Sequence, residues 1–179
     1  MLRRYFGMLS AAALMLPVIA GSASAASADP PHRGLPYVKL AGVVHIENLG
    51  DKPLRDGRWA GTMGRSLRLE GFQLASAGRL GGNTHLEYMC HVQDLGDLPA
   101  PNQWYARGEF CGTRGQSKRL EGFAIRVAGR NAALYDVLYQ CHVQDLGTSD
   151  VKKNGEFCGT RGQQKRVEAM RVVVLKNWY

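Results

Sequence analysis

His91-Val92-Gln93-Asp94-Leu95-Gly96 is the stretch on which the reading of this chain turns, because it returns as His142-Val143-Gln144-Asp145-Leu146-Gly147. A looser copy stands at His45-Ile46-Glu47-Asn48-Leu49-Gly50. Working outward, each copy is followed by a second block. Gly108-Glu109-Phe110-Cys111-Gly112-Thr113-Arg114-Gly115 runs on to Lys118-Arg119-Leu120-Glu121, and the pattern recurs from Gly155 to Glu168. Its first version is Gly57-Arg58-Trp59-Ala60-Gly61-Thr62-Met63-Gly64, closing on Arg68-Leu69-Glu70. Three units thus cover residues 40–77, 86–128 and 137–175. Such self-similarity marks a repeat architecture in which no unit buries its apolar face alone.

The interval from Thr62 to Glu70 is the same as those from Thr113 to Glu121 and from Thr160 to Glu168. Only the stretch between the His block and the Gly-Thr block varies, which places loops at Asp51–Asp56, Asp97–Arg107 and Thr148–Asn154. Length variation in repeats falls in loops on one face, often the binding face. The dominant period is two. Arg119, Glu121, Phe123, Ile125 and Val127 alternate with their neighbours, and Tyr88, Cys90 and Val92 share a face opposite Met89, His91 and Gln93. That is the pattern of half-buried strands. Gly-Thr-x-Gly reads as a turn, since glycine permits positive φ.

The expected fold is therefore all-β, with three or four short strands per unit packed about a pseudo-threefold axis. A β-prism-like architecture meets these conditions, with a β-trefoil as the alternative. The ends of the chain are expected to meet, with Trp178 and Tyr179 closing the ring. Trp59 aligns with Phe110 and Phe157 and is expected in the core, as repeated aromatics usually are.

Ahead of the units, Arg3 and Arg4 precede an apolar run from Tyr5 to Ala20 and the small residues Ala23-Ser24-Ala25. This reads as a secretory signal peptide over residues 1–25. Residues 26–36, with Pro30 and Pro31, read as a flexible leader, and 37–179 as a single domain. No later segment is apolar enough to span a bilayer. The formal charge of +8, less the two arginines of the signal peptide, leaves +6. A moderately basic exported protein favours anionic surfaces such as cell-wall polymers or acidic glycans. The Lys/Arg runs and basic helices of nucleic-acid binding are missing.

Four cysteines in an exported chain suggest disulfides and allow three pairings. The repeat chooses among them. Cys90 and Cys141 are equivalent, as are Cys111 and Cys158, and the first unit has Val44 and Ala60 at these places. Both partners are lost together, which favours Cys90–Cys111 and Cys141–Cys158, between neighbouring strands. The spacings fit no short zinc motif.

Taken together, Tyr-x-Cys-His-Val-Gln-Asp-Leu-Gly followed by Gly-x-Phe-Cys-Gly-Thr-Arg-Gly-Gln-x-Lys-Arg-x-Glu resembles the clostridial hydrophobic repeat with a conserved tryptophan. The resemblance covers nearly the whole mature chain. It implies an exported bacterial protein with roles in cell-surface interaction, adhesion or polymer binding, and no general enzymatic activity. The family's tryptophan usually follows the His block; here those positions are Asp51, Asp97 and Thr148.

Several side chains are candidates for contact. His91 with Gln93 and His142 with Gln144 form a repeated polar pair that suits sugar hydrogen bonding or a cross-strand ladder. Trp104 and Tyr105 lie in the longest loop, where an aromatic can stack on a sugar ring or a partner surface, or pack locally and anchor the loop. Arg107, Lys152 and Lys153 offer cationic contacts. Arg68/Glu70, Arg119/Glu121 and Arg166/Glu168 suit ion pairs that pin the Gly-Thr turn. Glycosidase chemistry needs two carboxylates across one bond, whereas each unit repeats one. No catalytic residue, metal or cofactor is assigned. The expected function is a secreted, non-catalytic binding module for a glycan or anionic cell-surface polymer. A protein-interaction or inhibitory module, and a hydrolase with an unrecognised site, are the alternatives.

Overall fold

The computed structural model describes residues 37–78 and 80–177. The signal peptide, the leader and the closure expected of Trp178 and Tyr179 lie outside those residues. A short strand, β1 (Tyr37–Val38), precedes the first unit, which holds β2 (Leu40–Ile46), β3 (Gly50–Leu54), β4 (Ala60–Gly61) and β5 (Leu69–Ser76). The second unit holds β6 (His85–Val92), β7 (Gly96–Leu98), β8 (Tyr105–Ala106), β9 (Cys111–Gly112) and β10 (Leu120–Ala128). The third holds β11 (Tyr135–Val143), β12 (Gly147–Thr148), β13 (Lys152–Lys153), β14 (Cys158–Gly159) and β15 (Val167–Lys176). One 3₁₀ turn at Ala132–Leu134 is the only helical element among the described residues.

The chain forms three antiparallel sheets, one per unit, each with the same plan. The His-block strand pairs with the long strand that closes its unit: β2 with β5, β6 with β10, β11 with β15. The variable segments are largely not free loops. They return along the outer edge as β3, as β7 and β8, and as β12 and β13. The remaining strand of each sheet is lent by another unit. β9 pairs with β5, β14 with β10, and β4 of the first unit with β15 of the last. The ring therefore closes by the same contact that joins successive units, and β1 adds to β15 beside it.

The loan of a strand explains the Gly-Thr block. Gly61, Gly112 and Gly159 have φ of +123°, +119° and +109°, which L side chains rarely adopt. A Cβ on Gly112 would also overlap the backbone of Glu70 and Gly71, and Gly159 stands likewise against Glu121 and Gly122. The next residue fixes the contact. Thr113 N–H donates to the Glu70 carbonyl at 2.9 Å, Thr160 to Glu121 at 2.8 Å and Thr62 to Glu168 at 2.8 Å. Positive φ and close approach coincide, so only glycine fits.

Simple alternation fails at one place in each long strand. The register slips between Leu69 and Gly71, Leu120 and Gly122, and Val167 and Ala169, leaving Glu70, Glu121 and Glu168 as the extra residues of β-bulges. A bulge changes which face the following side chains meet. Leu69 and Phe72, three apart, consequently both reach the core. The glutamates are buried, and Arg68, Arg119 and Arg166 hold them at 3.2, 2.9 and 2.8 Å. A buried carboxylate without its partner would cost several kcal/mol.

All three sheets turn their apolar faces to one core. Phe72, Phe123 and Met170 are equivalent residues, each fully buried. Phe72 stacks edge-on against Phe123 with centroids 5.4 Å apart, and Tyr88 and Tyr139 flank them at 5.2 and 5.7 Å. Each tyrosine hydroxyl crosses to the unit before it. Leu74 N–H donates to Tyr88 Oη at 3.2 Å and Ile125 N–H to Tyr139 Oη at 3.1 Å, while the hydroxyls donate to the carbonyls of Glu109 and Glu156. Burial pushes both phenols up to about 12, so they stay neutral donors throughout the physiological range.

Both disulfides, Cys90–Cys111 and Cys141–Cys158, form within units, with Cα atoms 6.1 Å apart. They do not join neighbouring strands of one sheet, as the sequence suggests. Cys111 lies on β9, in the first sheet, and Cys90 on β6, in the second. Because the short strand is lent, a bond within a unit staples two sheets together. The seam between the third and first sheets has Val44 and Ala60 there instead, both buried.

Gly112→Ala is expected to lower unfolding stability by about 2–4 kcal/mol, from positive φ plus backbone overlap. Gly115→Ala, at φ +65° in open space, is expected to cost only about 1 kcal/mol. Denaturant titration of both variants checks this. Replacing Cys90 and Cys111 by the first unit's own residues, valine and alanine, is expected to preserve the fold and cost about 3 kcal/mol, read from the same titration.

Candidate functional site

One row of residues crosses each sheet in register. In the first sheet it is Asp51–His45–Gly71–Gly112. In the second it is Asp97–His91–Gly122–Gly159. In the third it is Thr148–His142–Ala169–Gly61. Val44, Val92 and Val143 point into the core, so alternation turns the histidines outward.

On the first two faces the glycines leave a floor on which an aromatic ring lies. A Cβ on Gly71 would stand 2.6 Å from a ring carbon of Phe110, and Phe157 packs on Gly122 in the same way. An arginine covers each ring: Arg114 at 3.5 Å from the Phe110 centroid, Arg161 at 3.6 Å from that of Phe157. Such a stack contributes about 0.5–1 kcal/mol at exposed sites. Each arginine then reaches an aspartate of the preceding unit, Arg114 to Asp51 at 3.1 Å and Arg161 to Asp97 at 3.0 Å. His45 and His91 donate to the same carboxylates through Nδ1, at 2.6 and 2.7 Å. Partial burial works to raise both aspartates, but the hydrogen bonds from arginine and histidine outweigh it and hold them below the usual range.

The third face lacks this cap. Thr148 stands where the others have aspartate, and Met63 where they have arginine. Ala169 replaces the floor glycine. His142 Nδ1 shares a hydrogen bond of 3.1 Å with Thr148 Oγ1. Trp59, expected in the core, is instead half-buried on this outer face, because β4, the strand it directly precedes, is lent to the rim of the third sheet. The nearest guanidinium is that of Arg171, 5.1 Å from the ring.

The other sequence candidates are dispersed. Trp104 is half-buried under Arg126, whose guanidinium lies 4.2 Å from the ring, and Arg126 pairs with Glu87 at 2.6 Å. Trp104 thus anchors the long segment against β10 rather than standing free. Tyr105 lies in β8, half-buried against the core. Gln93 accepts from Arg119 at 2.9 Å, and Gln144 N–H donates to the Arg166 carbonyl at 3.0 Å. Lys152 is half-buried in β13, and Lys153 pairs with Asp136 at 2.9 Å. Arg107 is exposed, donates to Asn83 Oδ1 at 3.3 Å, and borders a cleft of about 230 Å³ between the first two units with His85. Lys153 and Arg126 border a cleft of about 370 Å³ between the second and third. Among the described residues no three His, Cys, Asp or Glu gather as metal ligands would; the three repeated histidines face outward on different sheets.

A family model described as clostridial hydrophobic W matches the chain three times, at residues 45–75, 91–129 and 142–176. The chain belongs to the ChW family. The three matches coincide with the three structural units, and the ChW repeat therefore corresponds to one sheet less the strand it borrows, plus the strand it lends. Searches of curated proteins and of solved structures returned no match. The positions at which the ChW tryptophan usually stands carry, in two units, the aspartates that lock successive repeats together.

The sequence reading missed these Asp–Arg pairs, although the signal was there. Asp51 and Asp97 occur where the following unit has Arg114 and Arg161; Thr148 occurs where the unit that follows around the ring has Met63. The partners change together only when the repeats are compared in a circle.

An aspartate held below its unfolded pKa stabilises the fold above that pKa and ceases to do so as pH falls through the folded value. Stability of the wild type is therefore expected to fall below about pH 4 more steeply than that of an Asp51→Asn/Asp97→Asn variant. Thermal unfolding at a series of acid pH values checks this; equal slopes would remove the proposed role of the pairs.

Proposed function

We propose that this ChW protein is a secreted, non-catalytic module that binds an anionic cell-surface polymer or acidic glycan. The observation that carries the reading is the division of surface charge. Most of the described carboxylates are engaged within the fold: Glu70, Glu121 and Glu168 in the bulges, Asp51 and Asp97 between units, Asp94 and Asp145 with Lys118 and Lys165 at 3.1 and 3.0 Å. Lys52, Arg55, Arg58, Arg65, Arg107 and Lys152, by contrast, have no carboxylate within 4.0 Å among the described residues. The charge left facing solvent is predominantly positive, which draws polyanions by long-range attraction.

Two features support an extracellular setting. The paired disulfides suit an oxidising compartment, and the ChW repeat is often found in extracellular proteins. The ring supports a binding role over a catalytic one, since its repeated carboxylates each hold an arginine. Repeated weak contacts around one rigid ring gain by avidity where a polymer can span them.

Retention of the mature protein on immobilised acidic polysaccharide, with a neutral polysaccharide as control, tests the proposal. Retention is expected to be selective for the acidic matrix, to weaken as salt rises, and to drop in an Arg107→Ala/Arg58→Ala variant. Equal retention on both matrices, or none on either, would overturn the reading.

A further inference from the structure

The three outer faces are built on one plan and differ in one respect. Two are capped by an Asp–Arg pair that crosses from unit to unit, and the third, over β11 and β15, is open. The opening is not an unfinished surface, because a different arginine is held there in a different way. Arg171 lies beside Gln140 in register. Its Nε donates to Gln140 Oε1 at 2.7 Å, and its Nη2 reaches the same oxygen. Gln140 is itself fixed, since its Nε2 donates to the Ser149 carbonyl at 2.7 Å. That bond assigns the amide oxygen to the arginine side and sets the guanidinium in place. The first two sheets have Val43 beside Gln73 and Met89 beside Ala124 at this position, so the device belongs to the third face alone.

Among the described residues no carboxylate pairs with Arg171. With the Nε side on Gln140, its Nη1–Nη2 edge is left for a bidentate acceptor, the geometry a carboxylate matches. The half-buried Trp59 ring lies under it, 5.1 Å from centroid to guanidinium carbon, a looser stack than the 3.5 and 3.6 Å over Phe110 and Phe157. Ala169 helps explain the difference: its methyl occupies the floor on which the phenylalanine rings lie in the other units. Gln140, Arg171 and the exposed Val151 border a small pocket of about 30 Å³, room for one small group. His142 and Thr148, hydrogen-bonded to each other at 3.1 Å, stand across β15 from β4, and Arg58, beside Trp59, adds an exposed cation.

Resting on the binding function argued above, we propose that this face is a specific subsite for a sugar ring bearing a carboxylate, a uronic acid residue within an acidic polysaccharide. Trp59 packs against the C–H face of the ring. Arg171 takes the carboxylate end-on, with Gln140 as its positioning residue. The other two faces cannot serve, because Asp51 and Asp97 already occupy Arg114 and Arg161.

The test is affinity electrophoresis of the mature protein through gels containing polygalacturonate, with a glycerol-phosphate polymer and a neutral glucan in parallel gels. Arg171→Gln and Trp59→Ala are each expected to weaken polygalacturonate binding at least tenfold. Met63→Arg combined with Thr148→Asp rebuilds the cap of the other faces. It is expected to abolish binding while leaving the unfolding midpoint unchanged or raised, which separates loss of site from loss of fold. Undiminished polygalacturonate binding in the rebuilt variant and in Arg171→Gln would overturn the site while leaving the binding function standing. Binding to the phosphate polymer but not to polygalacturonate would overturn the ligand class. Failure of the wild type to bind any polyanion would remove the functional reading and this subsite with it.

Discussion

Each unit lends a two-residue strand to its neighbour, and the rest of the molecule depends on that loan. The contact is small: a glycine at positive φ lies against the backbone of a bulged glutamate, and the threonine after it donates to that glutamate's carbonyl. No single unit can complete its own sheet, so a unit on its own would expose a strand edge and an apolar face. Three units close the ring, because the loan from the first satisfies the last. The bulge is part of the same device. It sets the buried glutamate beside an arginine two residues away and lets Leu69 and Phe72, or Leu120 and Phe123, both enter the core.

The seams are equal in hydrogen bonding and unequal in reinforcement. The first two have a disulfide beneath and an Asp–Arg pair above. The third has a valine, an alanine, a threonine and a methionine at those places, and relies on packing, on the lent strand and on β1. The two reinforced faces are filled by their own charges, and the unreinforced one keeps an aromatic ring and a positioned guanidinium facing outward.

How much of this was legible beforehand can be judged residue by residue. The His block and the Gly-Thr block marked three units, and the joint absence of cysteine at Val44 and Ala60 favoured the two disulfide pairings that form. Period-two patterning identified the long strands but ran straight through Glu70, Glu121 and Glu168, because a bulge inserts a residue without leaving a compositional mark. Trp59 was misplaced for a related reason. Alignment with Phe110 and Phe157 is sound, but a repeated aromatic need not be a core aromatic when its strand sits at the rim of the next sheet. For Trp104 the sequence left stacking on a ligand and anchoring of the long segment both open; Arg126, far along the chain, lies over it and decides for the anchor.

The sequence by itself determined the number of units, their β character and long strands, the cysteine partners and the excess of positive charge, since each is a property of local pattern or of comparison between equivalent positions; the edge strands in the variable segments, expected as loops, were not among them. Only the tertiary structure decided which sheet each short strand joins. From that followed whether a bond within a unit ties strands or sheets, which arginine meets which aspartate, and which of three related faces remains open. The physical reason is that strand lending converts neighbours in sequence into members of different sheets, and period-two patterning records which way a side chain points but not the sheet it points from.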